Sequence, residues 1–479
     1  MSISPELSDG LVAVVKQDCP TCLLVDPVLQ EIERAGLGLT VCVQDDLDFS
    51  KATRILDDRN LEHSFGLGIE TVPTLLRMAA GREVGRVVGW DRKAWAALCG
   101  MATLGEGLPA YRPGCGSKSV EPGIVEQLAV RFGDVGMQAR RIAVPPLEDD
   151  IELCFDRGWS DGLPLVPPTE VRVYRMLQGT RRPPGEILGL VPPNLSPCTI
   201  EKVAINAVMA GCKPEYLPVV IGAVEAALDP VFCLHGLLAT TWFSAPMIIV
   251  NGPVRERIGM NWRGNVLGQG NRANATIGRA LQLVVRNVGG GRPQEADQST
   301  FGTPAKYTFC FAEDEATSWE TLAETRGFDR AQSCVTLFSA DGPLGCADQK
   351  SREPAALIYS LAGSLRAVTH VDVANAADAV VVIGPEHGRV FDAAGWRKEE
   401  VLQAMHSALH IAGVDLGMGT DAAAPVVQAG AKSTRPKFRP EGLTLVRAGG
   451  EAGLFSAIIP GWLMKGSLGT DPVSKEITP

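Results

Sequence analysis

The sequence predicts an α/β protein in two parts, a small unit over residues 1–104 and a larger layered unit over 149–479, and three observations carry that expectation. Leu11 to Lys16 (LVAVVK) is an apolar run that leads into Asp18-Cys19-Pro20-Thr21-Cys22 and then a stretch of helical periodicity, Cys22 to Ala35. Residues 105–148 carry Pro109, Pro113, Gly114, Gly116, Pro122, Pro145 and Pro146 around one expected helix, Gly123 to Phe132, and read as a connector. Beyond it, one order of elements occurs twice: helix, histidine, apolar strand, Gly-Pro, helix. The pairs Gly252-Pro253 and Gly384-Pro385 lie 132 residues apart, which suggests an internal pseudo-repeat over about 213–290 and 350–415. Strands alternating with helices imply a sheet covered by helices.

Composition narrows the classes. A chain of 479 residues, 45% hydrophobic and 21% charged, can bury more than one core. Its formal net charge of −10 supplies no basic field for nucleic acid or an anionic membrane, so neither is expected as a partner. No basic stretch with an apolar core opens the chain, and no apolar run approaches the roughly 18 residues that cross a bilayer. Twelve cysteines are too dilute for a disulfide scaffold. The expectation is a cytoplasmic protein whose thiols are mostly reduced.

The clearest chemical handle is Cys19-Pro20-Thr21-Cys22. Two thiols with two residues between them can open and close a disulfide at little conformational cost. Where a strand feeds a helix, unpaired N–H groups and the helix dipole favour a thiolate. Cys19 is therefore the expected nucleophile and Cys22 the resolving thiol; half of a structural zinc site, or an inert fold, is the alternative.

Over about residues 8–104 the chain resembles the thioredoxin family. The likeness rests on the first strand, the CxxC, a helix interrupted by Pro27, a second strand at Leu39 to Gln44, Thr71-Val72-Pro73-Thr74, and a run through Leu75-Leu76 to Gly81-Arg82 that is similar to the family's closing hairpin. The resemblance implies roles for Cys19, Cys22 and Pro73, with Pro73 cis and packed against the disulfide beside the substrate. It also implies recharging by an external thiol or a reductase of the thioredoxin-reductase type. Asp18 stands where the family usually has Trp, and Ala13 where it has a buried acid.

Within the connector, Cys115 lies between glycines and near Arg112 and Lys118, so it reads as an exposed, acidified thiol able to relay electrons between the domains, or as a loop cysteine with no task.

The larger unit opens with an expected helix, Asp149 to Arg157, then Asp161-Gly162-Leu163-Pro164 and Val166-Pro167-Pro168-Thr169, where Thr169 caps a helix Glu170 to Gln178. Through this pattern it faintly resembles uncharacterised bacterial proteins, which implies no activity. Ser196 reads as the cap and Pro197 as the first position of the next helix, placing Cys198 in its first turn as a nucleophile or metal ligand. Lys202, one turn on, would hold the thiolate's charge or donate a proton; a buried cysteine is the alternative. Ligands gather beyond the carboxyl ends of strands in open α/β sheets, which singles out Asn251 and Arg255 in one copy and Glu386 and His387 in the other. His235, with Cys233, Cys198 and His387, could hold a transition metal, though the spacing matches no closed zinc pattern. The amide- and glycine-rich run Gly264 to Thr276 offers Arg272 and Asn274 to a carboxylate or phosphate.

Together these readings predict an oxidoreductase in which the dithiol unit resets a cysteine site, Cys198 assisted by His387 or His235, that acts on a small anionic or sulfur-containing molecule. A thiolate-dependent lyase or hydrolase handling a metal or organometallic compound, and a redox-regulated binding protein or holdase, are the alternatives. A homo-oligomer is compatible with all three. No organic cofactor is called for.

Overall fold

A computed structural model describes residues 7, 9–369, 373–374, 377–411, 414–415, 434–462 and 470–478. The fold is α/β, with its strands in several small sheets. The chain divides into two compact units, Met1–Val135 and Gly136–Pro479.

The first unit begins with β1 (Gly10–Val15), α1 (Pro20–Arg34), β2 (Leu39–Val43), β3 (Ile55–Asp57) and α2 (Glu62–Gly66). After these come β4 (Thr71–Val72), β5 (Thr74–Ala79), β6 (Arg82–Val88), β7 (Trp90–Asp91) and α3 (Arg92–Cys99). The sheet order is β3-β2-β1-β5-β6, with β1, β2 and β3 parallel and β5 and β6 antiparallel. Leu11 to Val15 are all buried because β1 is the middle strand with both faces covered. The Val72–Pro73 peptide is cis.

The expected connector is split between the units. Tyr111–Arg112 (β8) pairs with β7, Cys115–Gly116 (β9) pairs with β4, and α4 (Ile124–Phe132) packs Phe132 against Phe65, the rings tilted by 38° with centroids 6.4 Å apart. Buried Gln44 donates to Ser64 (2.7 Å) and Ser117 (2.6 Å) and accepts from the Lys118 N–H, which ties this segment down. Proline and glycine mark a chain without regular structure, but such a chain can still satisfy its backbone on a neighbouring strand.

The second unit runs through α5 (Asp150–Asp156), α6 (Glu170–Leu177), β10 (Ile187–Val191), β11 (Ser196–Thr199), α7 (Ile200–Ala210), α8 (Leu217–Ala227) and α9 (Leu234–Ala239). It continues with β12 (Ala245–Asn251), α10 (Val254–Arg257), α11 (Arg272–Asn287), β13 (Cys310–Ala312), α12 (Leu322–Thr325), β14 (Cys334–Ala340) and β15 (Leu344–Ala347). Then come α13 (Pro354–Arg366), β16 (Val373–Ala374), β17 (Ala377–Ile383), α14 (Pro385–Ala393), α15 (Lys398–Ala408), β18 (His410–Ile411) and β19 (Val414–Asp415). It closes with β20 (Arg435–Pro436), β21 (Phe438–Arg447), β22 (Phe455–Pro460) and β23 (Val473–Glu476).

Two sheets of like order form its centre, β13-β12-β14-β23 and β21-β17-β22-β15. In each, the second strand has a parallel neighbour on one side and an antiparallel one on the other, and the last pair is antiparallel. Both ends of β12 and β17 are 132 residues apart, as the Gly-Pro spacing predicts. The edge strands are exchanged: β15 follows β14 in the chain yet pairs with β22, while β23 follows β22 yet pairs with β14.

Alternation along the strands sorts the side chains into layers. Ile248 and Val250 face α7, α8 and α11, while Met247 and Ile249 meet Val380 and Val382 of the other sheet. On that sheet's far side, Val381 and Ile383 pack under α13 and α15. The order is helix, sheet, sheet, helix. Among the described residues no single helix is long and apolar enough to cross a membrane.

Candidate functional site

Cys19 occupies the N-cap of α1, with extended backbone, and Pro20 takes the first helical position, where its missing N–H costs nothing. The Cys22 N–H donates to Cys19 Sγ at 3.3 Å, and the Cys19 thiol reaches the Val72 carbonyl, next to Pro73, at 3.5 Å. The Cys115 side chain is within hydrogen-bonding reach of Cys19, so three thiols meet at one helix terminus.

Their protons are unequally held. The hydrogen bond from the Cys22 side chain, aided by Cys115 and by the Cys22 and Thr21 N–H groups, outweighs burial and lowers the Cys19 thiol from 9.0 to about 5. Burial, reinforced by the charge of Cys19, pushes Cys22 far up. Burial and the same neighbour also raise Cys115. At neutral pH the charge resides on Cys19 and the protons on its two neighbours.

Cys19 is only 1% exposed. The segment from Tyr111 to Gly116 lies across it: the Thr21 hydroxyl donates to the Pro113 carbonyl (2.7 Å), and Cys115 stands opposite Val72 in the β4–β9 pair. Gly114 permits the approach, since a Cβ there would fall 2.7 Å from the Val72 oxygen. Cys115 is half-buried, not the free exposed thiol expected, and its thiol is raised instead of acidified. Its neighbours in space are sulfur and backbone, which sequence proximity to Arg112 and Lys118 could not reveal.

The sites expected in the larger unit do not assemble. Cys198 lies in β11, fully buried, and Thr199 is the true cap, its hydroxyl accepting from the Lys202 N–H. Burial pushes that thiol up to about 12 and outweighs the opposing charge of Lys202, whose Nζ donates to the Pro197 carbonyl at 2.6 Å. Cys198 is thus a core residue, and among the described thiols of this unit Cys233 alone is not buried. His387 is fully buried with both ring nitrogens engaged, Nδ1 with the Ser456 hydroxyl (2.8 Å) and Nε2 with the Asp348 carbonyl (3.1 Å). His235 is exposed on α9, and His370 lies outside the described residues. No three His, Cys, Asp or Glu side chains converge as a metal site among the described residues, so the set Cys198, Cys233, His235 and His387 is not one.

At the carboxyl end of β12, Asn251 donates to Glu313 (2.6 Å) and Glu315 (3.0 Å), while Arg255 pairs with Glu315 (3.2 Å) over the Trp262 ring. Carboxylates of the chain itself already fill the place expected for an anionic substrate. Glu386 accepts from the Gly453 N–H, and Asn274 clasps the backbone of Asn261 through both ends of its amide. Arg272 donates to the Gly211 carbonyl. These side chains hold loops together.

The open space is elsewhere. A cavity of about 540 Å³ lies beside the start of β12, lined by Ser244 and Pro246, by Gln282, Val285 and Arg286 of α11, and by the loop through Asp297 to Tyr307. Asp161 of the Asp-Gly-Leu-Pro pattern reaches its wall and holds Arg279 through two hydrogen bonds, 2.8 and 2.7 Å. Lys306 lies in a helical turn at Pro304–Lys306 and donates to Asp297 and Ser299. Sequence reasoning missed this cavity; Gln282 and Arg286, four apart, are only two of several polar residues on an amphipathic helix that also carries Arg272, Asn274, Arg279 and Asn287, so nothing local singles them out.

Compared with protein-family models, curated proteins and solved structures, the chain finds no match.

Proposed function

We propose that the chain is a thiol–disulfide oxidoreductase in which Cys19 is the exchanging sulfur, Cys22 its inner partner and Cys115 its outer one. The observation that carries this is the meeting of three thiols at the start of α1, with the negative charge on the central one. The order of strands and helices in the first unit, with Pro73 opposite the CxxC, supports the resemblance to the thioredoxin family. The matched sheet orders of the larger unit support reading it as a duplicated α/β unit.

The chemistry follows from access and acidity. When Cys19 and Cys115 are joined, an external small thiolate attacks Sγ of Cys115, the more exposed sulfur. The S–S bond breaks and its electron pair leaves on Cys19, a good leaving group because its thiol is acidic. A second external thiolate then attacks its counterpart in the mixed disulfide, giving an external disulfide, and Cys115 takes a proton from solvent. Two external thiols are oxidised and one protein disulfide is reduced. In the reverse sense Cys115 gives up its proton and attacks an external disulfide, releasing one external thiolate; Cys19 attacks Sγ of Cys115 in that mixed disulfide and releases the second; Cys22 then attacks Sγ of Cys19, and its proton passes to the displaced Cys115.

The test is single turnover of the reduced protein with glutathione disulfide, followed by mass. Cys22→Ser is expected to lose two hydrogens through a Cys19–Cys115 bond, and Cys19→Ser to form no internal disulfide. Internal disulfide formation at the wild-type rate in Cys19→Ser would sink the proposal.

A further inference from the structure

The cavity of the larger unit carries a ligand chemistry of its own. Gln282 and Arg286 are one helical turn apart on α11, so their side chains share a face. Gln282 Nε2 and Arg286 Nε are both buried without a hydrogen-bond partner. A buried donor left unmade costs about 1–3 kcal/mol, and more when charged, so two of them at one cavity wall favour an acceptor that enters the space between them. The other charged groups on the wall are occupied: Lys306 by Asp297 and Ser299, and Asp161 by Arg279. Among the described lining residues, Arg286 is therefore the charged side chain without an ion-pair partner, its charge favoured at a distance by Asp161 and Glu295 and opposed by Arg292.

That balance selects the ligand. A monoanion neutralises Arg286, whereas the second charge of a phosphate would face the carboxylates Asp161 and Asp297. Leu237, Leu238, Val285 and Pro246 provide apolar walls, and the exposed rings of Phe301 and Tyr307 stand on the lining where it reaches solvent. The volume is in the range of small-molecule sites, about 300–1,000 Å³. We propose that this cavity binds an organic monocarboxylate, its carboxylate taken by Arg286 and Gln282 and its apolar body laid against Leu237, Leu238 and Val285. The site is contained in the larger unit and does not rest on the thiol reading.

Calorimetry on the full chain with 4-phenylbutanoate, its uncharged amide and inorganic phosphate tests this. The acid is expected to saturate, and the amide to bind at least about tenfold more weakly. Arg286→Gln should lose about ten- to a hundredfold in affinity at an unchanged melting temperature, the range for a hydrogen bond to a charged group. Gln282→Leu should lose less, and it decides the matter if Arg286→Gln does not fold. Equal binding of acid and amide overturns the proposal, as does wild-type affinity in Gln282→Leu and Arg286→Gln. Binding of phosphate in preference to the acid, or no binding of the acid at millimolar concentration, also overturns it.

Discussion

Removing the Cys22 side chain tests the charge placement at the thiol site. The Cys19 thiol is held at about 5 instead of 9.0, and the Cys22 side chain is the largest cause, ahead of Cys115. A tenfold change in acidity corresponds to about 1.36 kcal/mol, so at pH 7, a hundredfold past the folded midpoint, the thiolate favours the fold by about 2.7 kcal/mol. Because an acid is depressed, this stabilisation is full above the unfolded value near 9 and is lost as pH falls through 5. A hydrogen bond to a charged group is worth about 1.5–3 kcal/mol, so Cys22→Ala should raise the Cys19 midpoint by about one to two pH units. Cys115→Ala should raise it by less. The assay is the rate of iodoacetamide alkylation at Cys19 against pH, read by peptide mass, in which the midpoint reports acidity and the plateau reports access. A wild-type midpoint near 9, an unmoved midpoint in Cys22→Ala, or a larger shift in Cys115→Ala would refute the reasoning.

Three further outcomes are expected. Gly114→Val places a side chain against Thr71 and the Val72 oxygen, lifts the segment over Cys19 and should raise the alkylation plateau several-fold; an unchanged plateau would mean that this segment does not limit access. Cys198→Ser puts a hydroxyl into an apolar core and should cost about 1–3 kcal/mol by denaturant titration, with disulfide exchange unaffected. Normal stability with exchange lost would return Cys198 to the chemistry. Asp161→Asn breaks a mostly buried pair with Arg279 and should cost about 3–5 kcal/mol. Burial raises the Asp161 carboxyl, yet the Arg279 hydrogen bonds and charge bring it below its usual value, so wild-type stability from this pair is present above the unfolded pKa and lost as pH falls through the folded one. In Asp161→Asn that acid dependence should disappear, and its persistence would assign it to another carboxylate.

Features written in neighbouring residues were legible without coordinates. The run Leu11 to Lys16, the CxxC at the start of α1, Thr169 as a cap and the 132-residue spacing of β12 and β17 all depend on local periodicity, capping and punctuation. Strand pairing and enclosure depend on residues far apart in the chain, and there the local signals fell silent or misled. Ser196-Pro197-Cys198 has the form of a helix start, yet pairing with β10 keeps it extended and buries the thiol. Asn251 and Arg255 lie beyond a strand's carboxyl end as expected, but Glu313 and Glu315, some sixty residues later, fill the position. By itself the sequence determined where the CxxC pair and the repeated strands lie. The tertiary structure alone decided that Cys115 joins that dithiol, that β15 and β23 trade sheets, and that the cavity opens beside Arg286, because pairing and burial are set by which distant segments meet.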